Sequence, residues 1–390
     1  MKLFVFLLAV IAVATSCADV IPLDCDKPLK TQIEGAPIHS ELVAYDSCVW
    51  MVDETIRVRN PVTIRGVTAR LPDGLGNAPL LEVRTEGFTM TDFEFIGNIE
   101  SVEFEDRESL VAVAMGGFHI ERGVLRSSSQ HGILVRPMGF HKHDIVGGVL
   151  RDLAGYGNRR DLVSITSMRQ GEYISRNIVA ENLRAYNQWE RGTIEVTDGA
   201  KDVYISNVYA ENCFYAVDIQ DHDEGNDESL AHVNRVFVSN VIAMNCTWAI
   251  HSETFVAGHS DISISGVVAT DCMNAVLLDR INRLTLTDVK VVNGRNESTQ
   301  VDIAHAKYVN MRELSFAGGV GESSAITLRQ SEKVRVQDVT LADDTNFKYG
   351  ITVNATVPEQ EAFATLSFTG NDLEAASEEE IQYYFFHESL

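Results

Sequence analysis

Ionisable side chains stand at matching places in four short, similar segments of this chain. They are Glu195 in Gly192-Thr-Ile-Glu-Val-Thr-Asp198, Asp218 in Ala216-Val-Asp-Ile-Gln-Asp-His222, His251 and Glu253 in Ala249-Ile-His-Ser-Glu253, and Asp279 in Ala275-Val-Leu-Leu-Asp-Arg280. Carboxylates brought close together repel, so one of a pair such as Glu195 and Asp218 is expected to hold its proton to a higher pH than a free acid. Two chemistries fit that pattern. In one, an acid protonates a glycosidic oxygen while a second carboxylate activates water or attacks the sugar. In the other, the acids hold Ca²⁺ against a uronate and a base removes the proton beside its carboxyl group. Asp218 is the first choice for the catalytic acid, with Glu195, His251 and Glu253 as its partners. Asp198 and Asp221 are the candidates for a Ca²⁺ site; the hydrolytic chemistry requires no cofactor.

The elements that must carry these residues are strands. Aliphatic residues (Ile194 and Val196; Val217 and Ile219; Ile250; Val276 and Leu278) alternate with the polar ones, a period of two that places the polar set on an outward face. With coils stacked about 4.8 Å apart, one outward column reads Leu134, Ser164, Glu195, Asp218, His251, Leu277, Asp302, Thr327. Its neighbour reads Arg136, Thr166, Thr197, Gln220, Glu253, Asp279, Ala304, Arg329. Glu195 and Asp218 would then lie about 5 Å apart, the retaining range, and Asp218 and Glu253 about 8 Å apart, the inverting range. Arg136, His222, Asp279 and Arg280 at the strand ends, with Trp189 and Trp248 just before the strands, are candidate substrate contacts; a core or turn role suits either tryptophan equally. The excursions 136–144, 152–161, 167–176 and 221–234 would wall the cleft.

The repeat is clearest in Asn207-Val-Tyr-Ala-Glu-Asn-Cys213, Asn240-Val-Ile-Ala-Met-Asn-Cys246 and Gly266-Val-Val-Ala-Thr-Asp-Cys272. Spacings of roughly 22 to 33 residues without helical periodicity describe an all-β solenoid, a single parallel β-helix over 61–370. Asn182, Asn207 and Asn240 form a polar ladder and Cys213, Cys246 and Cys272 a buried, unbridged one. Residues 19–60 read as an N-terminal cap closed by a Cys25–Cys48 disulfide. Residues 371–390, with Ser377-Glu-Glu-Glu380 ahead of Ile-Gln-Tyr-Tyr-Phe-Phe386, read as a short amphipathic helix covering the C-terminal end.

Residues 1–18 carry one lysine, an apolar run too short to span a bilayer and small residues at its end, the pattern of a secretory signal. Ala14-Thr-Ser-Cys17 also suits lipidation of Cys17, so the expected location is secreted or periplasmic, with an outer-membrane lipoprotein as the second choice. A formal charge of −24 offers no basic face for nucleic acid. The expected partner is a polysaccharide, the only membrane attachment a lipid anchor, and the chain a monomer.

Asn60-Pro-Val-Thr-Ile-Arg-Gly66 and Gly132-Ile-Leu-Val135 resemble the right-handed parallel β-helix, or pectin-lyase-like, superfamily of polysaccharide lyases and glycoside hydrolases. That resemblance implies the fold over nearly the whole mature chain and leaves the chemistry open. The order of acids, histidine and arginine from Glu195 to Arg280 is similar to polygalacturonase-type hydrolases, although Asn-Thr-Asp, Gly-His-Gly and Arg-Ile-Lys are missing. Tyr215-Ala-Val-Asp-Ile-Gln-Asp-His-Asp223 resembles the Asp-Pro-His-Asp strand of alginate epimerases, without the proline. The expected function is hydrolysis of an acidic or otherwise substituted polysaccharide. A lyase, an epimerase and a non-catalytic glycan-binding β-helix are the alternatives.

Overall fold

Residues in the left-handed backbone region recur every fifth position along the long strands, and they are what bends this chain into coils. Asn177, Asn182 and Asn187 have φ of 57°, 55° and 53°, Asp202, Asn207 and Asn212 follow at 53°, 56° and 54°, and the series continues through Asn240, Asn245, Asp261 and Gly266. Asn, Asp and Gly accept this conformation at the lowest cost, because a short polar side chain can bond locally and glycine has no Cβ. Each such residue makes a corner between two short extended runs. In the strand Lys201–Glu211, Val203 and Ile205 face the core before the corner at Asn207, and Val208 and Ala210 face it after.

A computed structural model describes residues 19–45, 47–76, 78–103, 108–138, 143–168, 172–222, 232–254, 258–295, 299–318, 324–355, 366–374, 376 and 379–385. Among these residues the strands form two all-parallel sheets, of 16 and 13 strands, and from Leu81–Val83 onward successive strands of the chain alternate between them. This is a parallel β-helix. The bent 16-stranded sheet supplies two sides of each coil and the 13-stranded sheet the third, and one continuous core of Val, Ile, Leu, Ala and Phe runs down the axis. Such stacking suits the aliphatic alternation, since each coil's apolar residues are covered by those above and below.

The ladders expected from the repeats are present. Asn207 Nδ2 donates to Asn182 Oδ1 at 3.0 Å and Asn240 Nδ2 to Asn207 Oδ1 at 3.1 Å. Cys213, Cys246 and Cys272 are buried and free, and Cys25 is bonded to Cys48.

Three expectations need correction. Coiling starts well before residue 61: Val20–Pro22 pairs with Glu41–Val43, which pairs with Thr63–Arg65, and a six-residue helix, Leu29–Glu34, buries Leu29 and Ile33 against the first coil. Residues 152–156 belong to the strand Ile145–Tyr156, because Asp152 is a corner with φ of 52° and not the start of a loop. The C-terminal segment is a strand rather than a helix: Glu379–Phe385 pairs with Tyr349–Ala355 and puts Ile381 and Tyr383 against the core. Ile381 and Tyr383 follow a period of two, and an open parallel edge offers the segment hydrogen bonds that a lone helix end would lack.

Candidate active site

The strands Ile194–Thr197, Tyr215–Gln220 and Trp248–Glu253 stack in register, pairing Glu195 with Asp218, Asp218 with His251, and Gln220 with both Thr197 and Glu253. The first column therefore exists as read, and the second in two runs, Thr166 to Glu253 and Asp279 to Arg329. Their middle is not a solvent face, however. Glu195, Asp218 and His251 are only 1%, 0% and 5% exposed. Arg160 and Arg191 reach these carboxylates from the preceding turns, and Trp248 packs on His251 with ring centroids 4.6 Å apart.

Glu195 lies in the wall of a pocket lined by Gln130, His131, Leu134, Arg136, Arg160, Ser164, Thr166, Thr197, Asp198 and His222. One oxygen of Glu195 accepts from Ser164 Oγ at 2.8 Å; the other accepts from Gln220 Nε2 at 3.0 Å and lies 3.5 Å from Arg160 Nη2. Burial, and next the charge of Asp161, push the Glu195 carboxyl up, outweighing Arg160, His131 and His222. Asp198 is the opposite case. Burial works to raise it, but the bonds from the His222 ring and backbone N–H and from Thr166 Oγ1 hold it down to about 2. His222 bridges the two acids, with Nδ1 3.2 Å from Asp198 and Nε2 3.7 Å from Glu195. Its own burial lowers its pKa, yet the bond to Asp198 and the charge of Glu195 leave it raised.

The Asp198–His222 pair has a defined pH window. Asp198 contributes stability above the ordinary Asp pKa, about 3.9, and loses it as pH falls through about 2. His222 contributes below its ordinary value, about 6.5, and loses it as pH rises through its raised folded pKa. The melting-temperature deficit of His222→Ala should therefore be greatest near pH 5 and shrink toward pH 9. A deficit that does not change with pH would show that His222 stabilises by packing alone.

Asp218 belongs to a second, deeper group. It accepts from His251 Nδ1 at 2.7 Å and lies 3.5 Å from Arg191 Nη1. Arg191 is raised further above its usual value, as Tyr215, Glu195, Asp161 and Asp218 together outweigh its burial.

Several members of this network were not singled out from the sequence. His131, Asp161, Gly192 and Tyr215 occupy equivalent places at the entry to successive strands. A Cβ at Gly192 would lie 1.9 Å from the Tyr215 carbonyl oxygen and 2.4 Å from its ring. The missing side chain lets Tyr215 cross that coil and donate to Asp161 Oδ1 at 2.8 Å, while Gly192 N–H donates to the same oxygen at 3.1 Å. The other Asp161 oxygen faces His131 Nδ1 at 3.2 Å without hydrogen-bond alignment. Burial works to raise Asp161, but His131, Arg160 and the Tyr215 bond hold it below its ordinary value, whereas burial and the surrounding carboxylates push the Tyr215 phenol well up. A glycine between an acid and a tyrosine at matching repeat positions was the available signal.

His131, Asp161 and Glu195 bring three ligand atoms within 4.8 Å of one another among the described residues. They fit a metal ion poorly, because the guanidinium of Arg160 is 3.5 Å from Glu195 and that of Arg191 is 4.0 Å away. The two Ca²⁺ candidates are each engaged by histidine. Asp198 holds His222, and Asp221 lies 3.1 Å from His232 Nδ1 and 3.6 Å from His259 Nδ1.

The remaining candidates are dispersed. Asp279 binds His305 Nδ1 at 2.7 Å and Arg280 at 3.4 Å, farther along the axis. Trp189 is 56% exposed beside Arg159, and Trp248 stands edge-on to Phe214. The Glu253 side chain and all of Cys17 lie outside the described residues.

No protein-family model and no curated protein matches this chain. Solved structures do. The A-module of the mannuronan C-5 epimerase AlgE4 of Azotobacter vinelandii is similar at a TM-score of 0.56 and 14% identity, with 89% of each chain covered. The catalytic domain of a GH87 alpha-1,3-glucanase in complex with nigerose is similar at 0.51 and 9% identity, over 95% of this chain and 68% of that one. PfbA, a surface adhesin of Streptococcus pneumoniae, is similar at 0.50 and 10% identity, over 80% and 82%. At such identities the likeness defines the fold alone: this is a right-handed parallel β-helix.

Proposed function

We propose that the chain is an exported glycoside hydrolase acting on a polysaccharide, with Glu195 as proton donor and Asp198 as the base that activates water. One observation carries this reading: a single pocket holds two carboxyl groups whose surroundings push their pKa values in opposite directions. A buried acid raised above the usual range keeps its proton for a leaving oxygen, and a carboxylate held to about 2 is ionised at any working pH. Asp218, the first choice from the sequence, gives up the catalytic role here, because it lines no part of the pocket and is tied to His251 and Arg191. The carbohydrate enzymes among the structural relatives support a polysaccharide as substrate. Export rests on the sequence of residues 1–18 and is supported by the Cys25–Cys48 disulfide, with lipidation of Cys17 as the alternative anchor.

A second reading is favoured by the Asp218–His251 pair. There Asp218 orients an imidazole that removes a proton beside a uronate carboxyl, leading to β-elimination or epimerisation. His222 is a poor base for that step at neutral pH, since it is already raised toward its protonated form. The test is digestion of a panel of uronans, galactans, glucans and sulfated algal polysaccharides. New reducing ends without near-ultraviolet absorbance, unaffected by chelator, are expected. A product absorbing as a C4–C5 double bond would overturn hydrolysis in favour of elimination.

A further inference from the structure

We propose that the Arg136 end of this pocket is a subsite for an oxoanion on the sugar, a carboxylate or a sulfate ester. This deepens the hydrolytic reading and rests on it for the identity of the pocket. Arg136 is exposed and lines the pocket, and its side chain has no ion-pair or hydrogen-bond partner among the described residues. Its freedom is informative in a chain with 56 acidic and 32 basic side chains, where an exposed arginine readily finds a carboxylate. Both acids of the pocket are already taken. Glu195 is bonded by Ser164 and Gln220 and lies beside Arg160; Asp198 is bonded by Thr166 and His222. The guanidinium of Arg136 is therefore uncommitted, and its fork of N–H donors matches a carboxylate or sulfate in a bidentate way.

The neighbours on that wall suit the same ligand. Gln130 and Arg160 come from adjacent turns and line the pocket, and His131 has Nδ1 turned to Asp161, leaving Nε2 as the nitrogen that can meet a ligand. A neutral polymer would make no use of this charge. Arg136 directly follows the strand Ile133–Val135, whose Leu134 stands two coils from Glu195 in register through Ser164, so the anion would sit on a sugar unit bound beside the one being cleaved.

The experiment uses the full mature chain carrying Glu195→Gln, so that polymer is not consumed, with and without Arg136→Gln. Affinity is read by electrophoresis through gels containing polygalacturonate, mannuronan, their carboxyl-reduced forms, a sulfated galactan, or its desulfated form. Binding to at least one charged polymer is expected, weakened roughly tenfold or more by Arg136→Gln and by raised salt, with partial recovery in Arg136→Lys. Which charged polymer responds tells carboxylate from sulfate. Equal affinity for charged and uncharged forms, no binding to any charged polymer, or charged-polymer binding unchanged by Arg136→Gln would each overturn the subsite. Turnover surviving Glu195→Gln would remove the hydrolytic assignment while leaving the binding result intact.

Discussion

Glu195→Gln should lower kcat on the responsive polysaccharide by about 10²- to 10⁴-fold, the range expected for loss of a positioned general acid. The change keeps side-chain shape and lets the amide bond Ser164 and Gln220, so the melting temperature should move little by comparison. The pH–rate profile offers an independent readout. With Glu195 as donor, activity should fall as pH rises through its raised pKa, where the carboxyl loses its proton; Asp198, held to about 2, contributes no acid limb above that. Five neighbours face Glu195 and set that limb: Asp161, which raises its pKa, Arg160, His131 and His222, which lower it, and Arg191, 4.0 Å away. Near-normal turnover in Glu195→Gln would remove Glu195 from the mechanism. Asp218→Asn is a useful contrast. Because Asp218 partners both Arg191 and His251, its replacement should cost stability as well as rate, unlike a pure acid–base change.

Gly192→Ala is the single methyl expected to do the most damage to the fold around the site. The new Cβ would stand 1.9 Å from the Tyr215 carbonyl oxygen on the next coil, a backbone atom fixed by the parallel ladder. Relief requires the coils to part or Tyr215 to leave Asp161, and overpacking of this kind costs about 3 kcal/mol. Tyr215→Phe separates the two effects. It keeps the ring and removes only the bond to Asp161, at an expected cost of about 1–2 kcal/mol. Chemical denaturation of both variants gives the comparison. A Gly192→Ala protein within about 0.5 kcal/mol of the parent would mean that the coils adjust freely, and the close approach at Gly192 would then have no structural weight.

The coil and its register are legible in the residue pattern. Strict alternation in segments such as Ile194-Glu-Val and Val217-Asp-Ile, repeated with Asn and Asp corners, admits one stacking in which every aliphatic residue points inward. That is why alternation alone puts Leu134, Ser164, Glu195, Asp218, His251 and Leu277 in one column. At the C-terminus the same period of two was available in Ile381 and Tyr383, but the preceding Ser and Glu run outweighed it as a helix start. Which column members meet solvent, and what partners they have, depends on the folded coils. Exposure depends on side chains arriving from other coils, as Arg160 does over Glu195 and Arg191 over Asp218. Tyr215 reaching Asp161, two coils away, depends on a missing side chain at Gly192 on the coil between them. Alternation specifies the face a residue occupies. It carries no information on how far a neighbouring side chain extends along the axis, and that reach is what separates the pocket acids Glu195 and Asp198 from the buried Asp218.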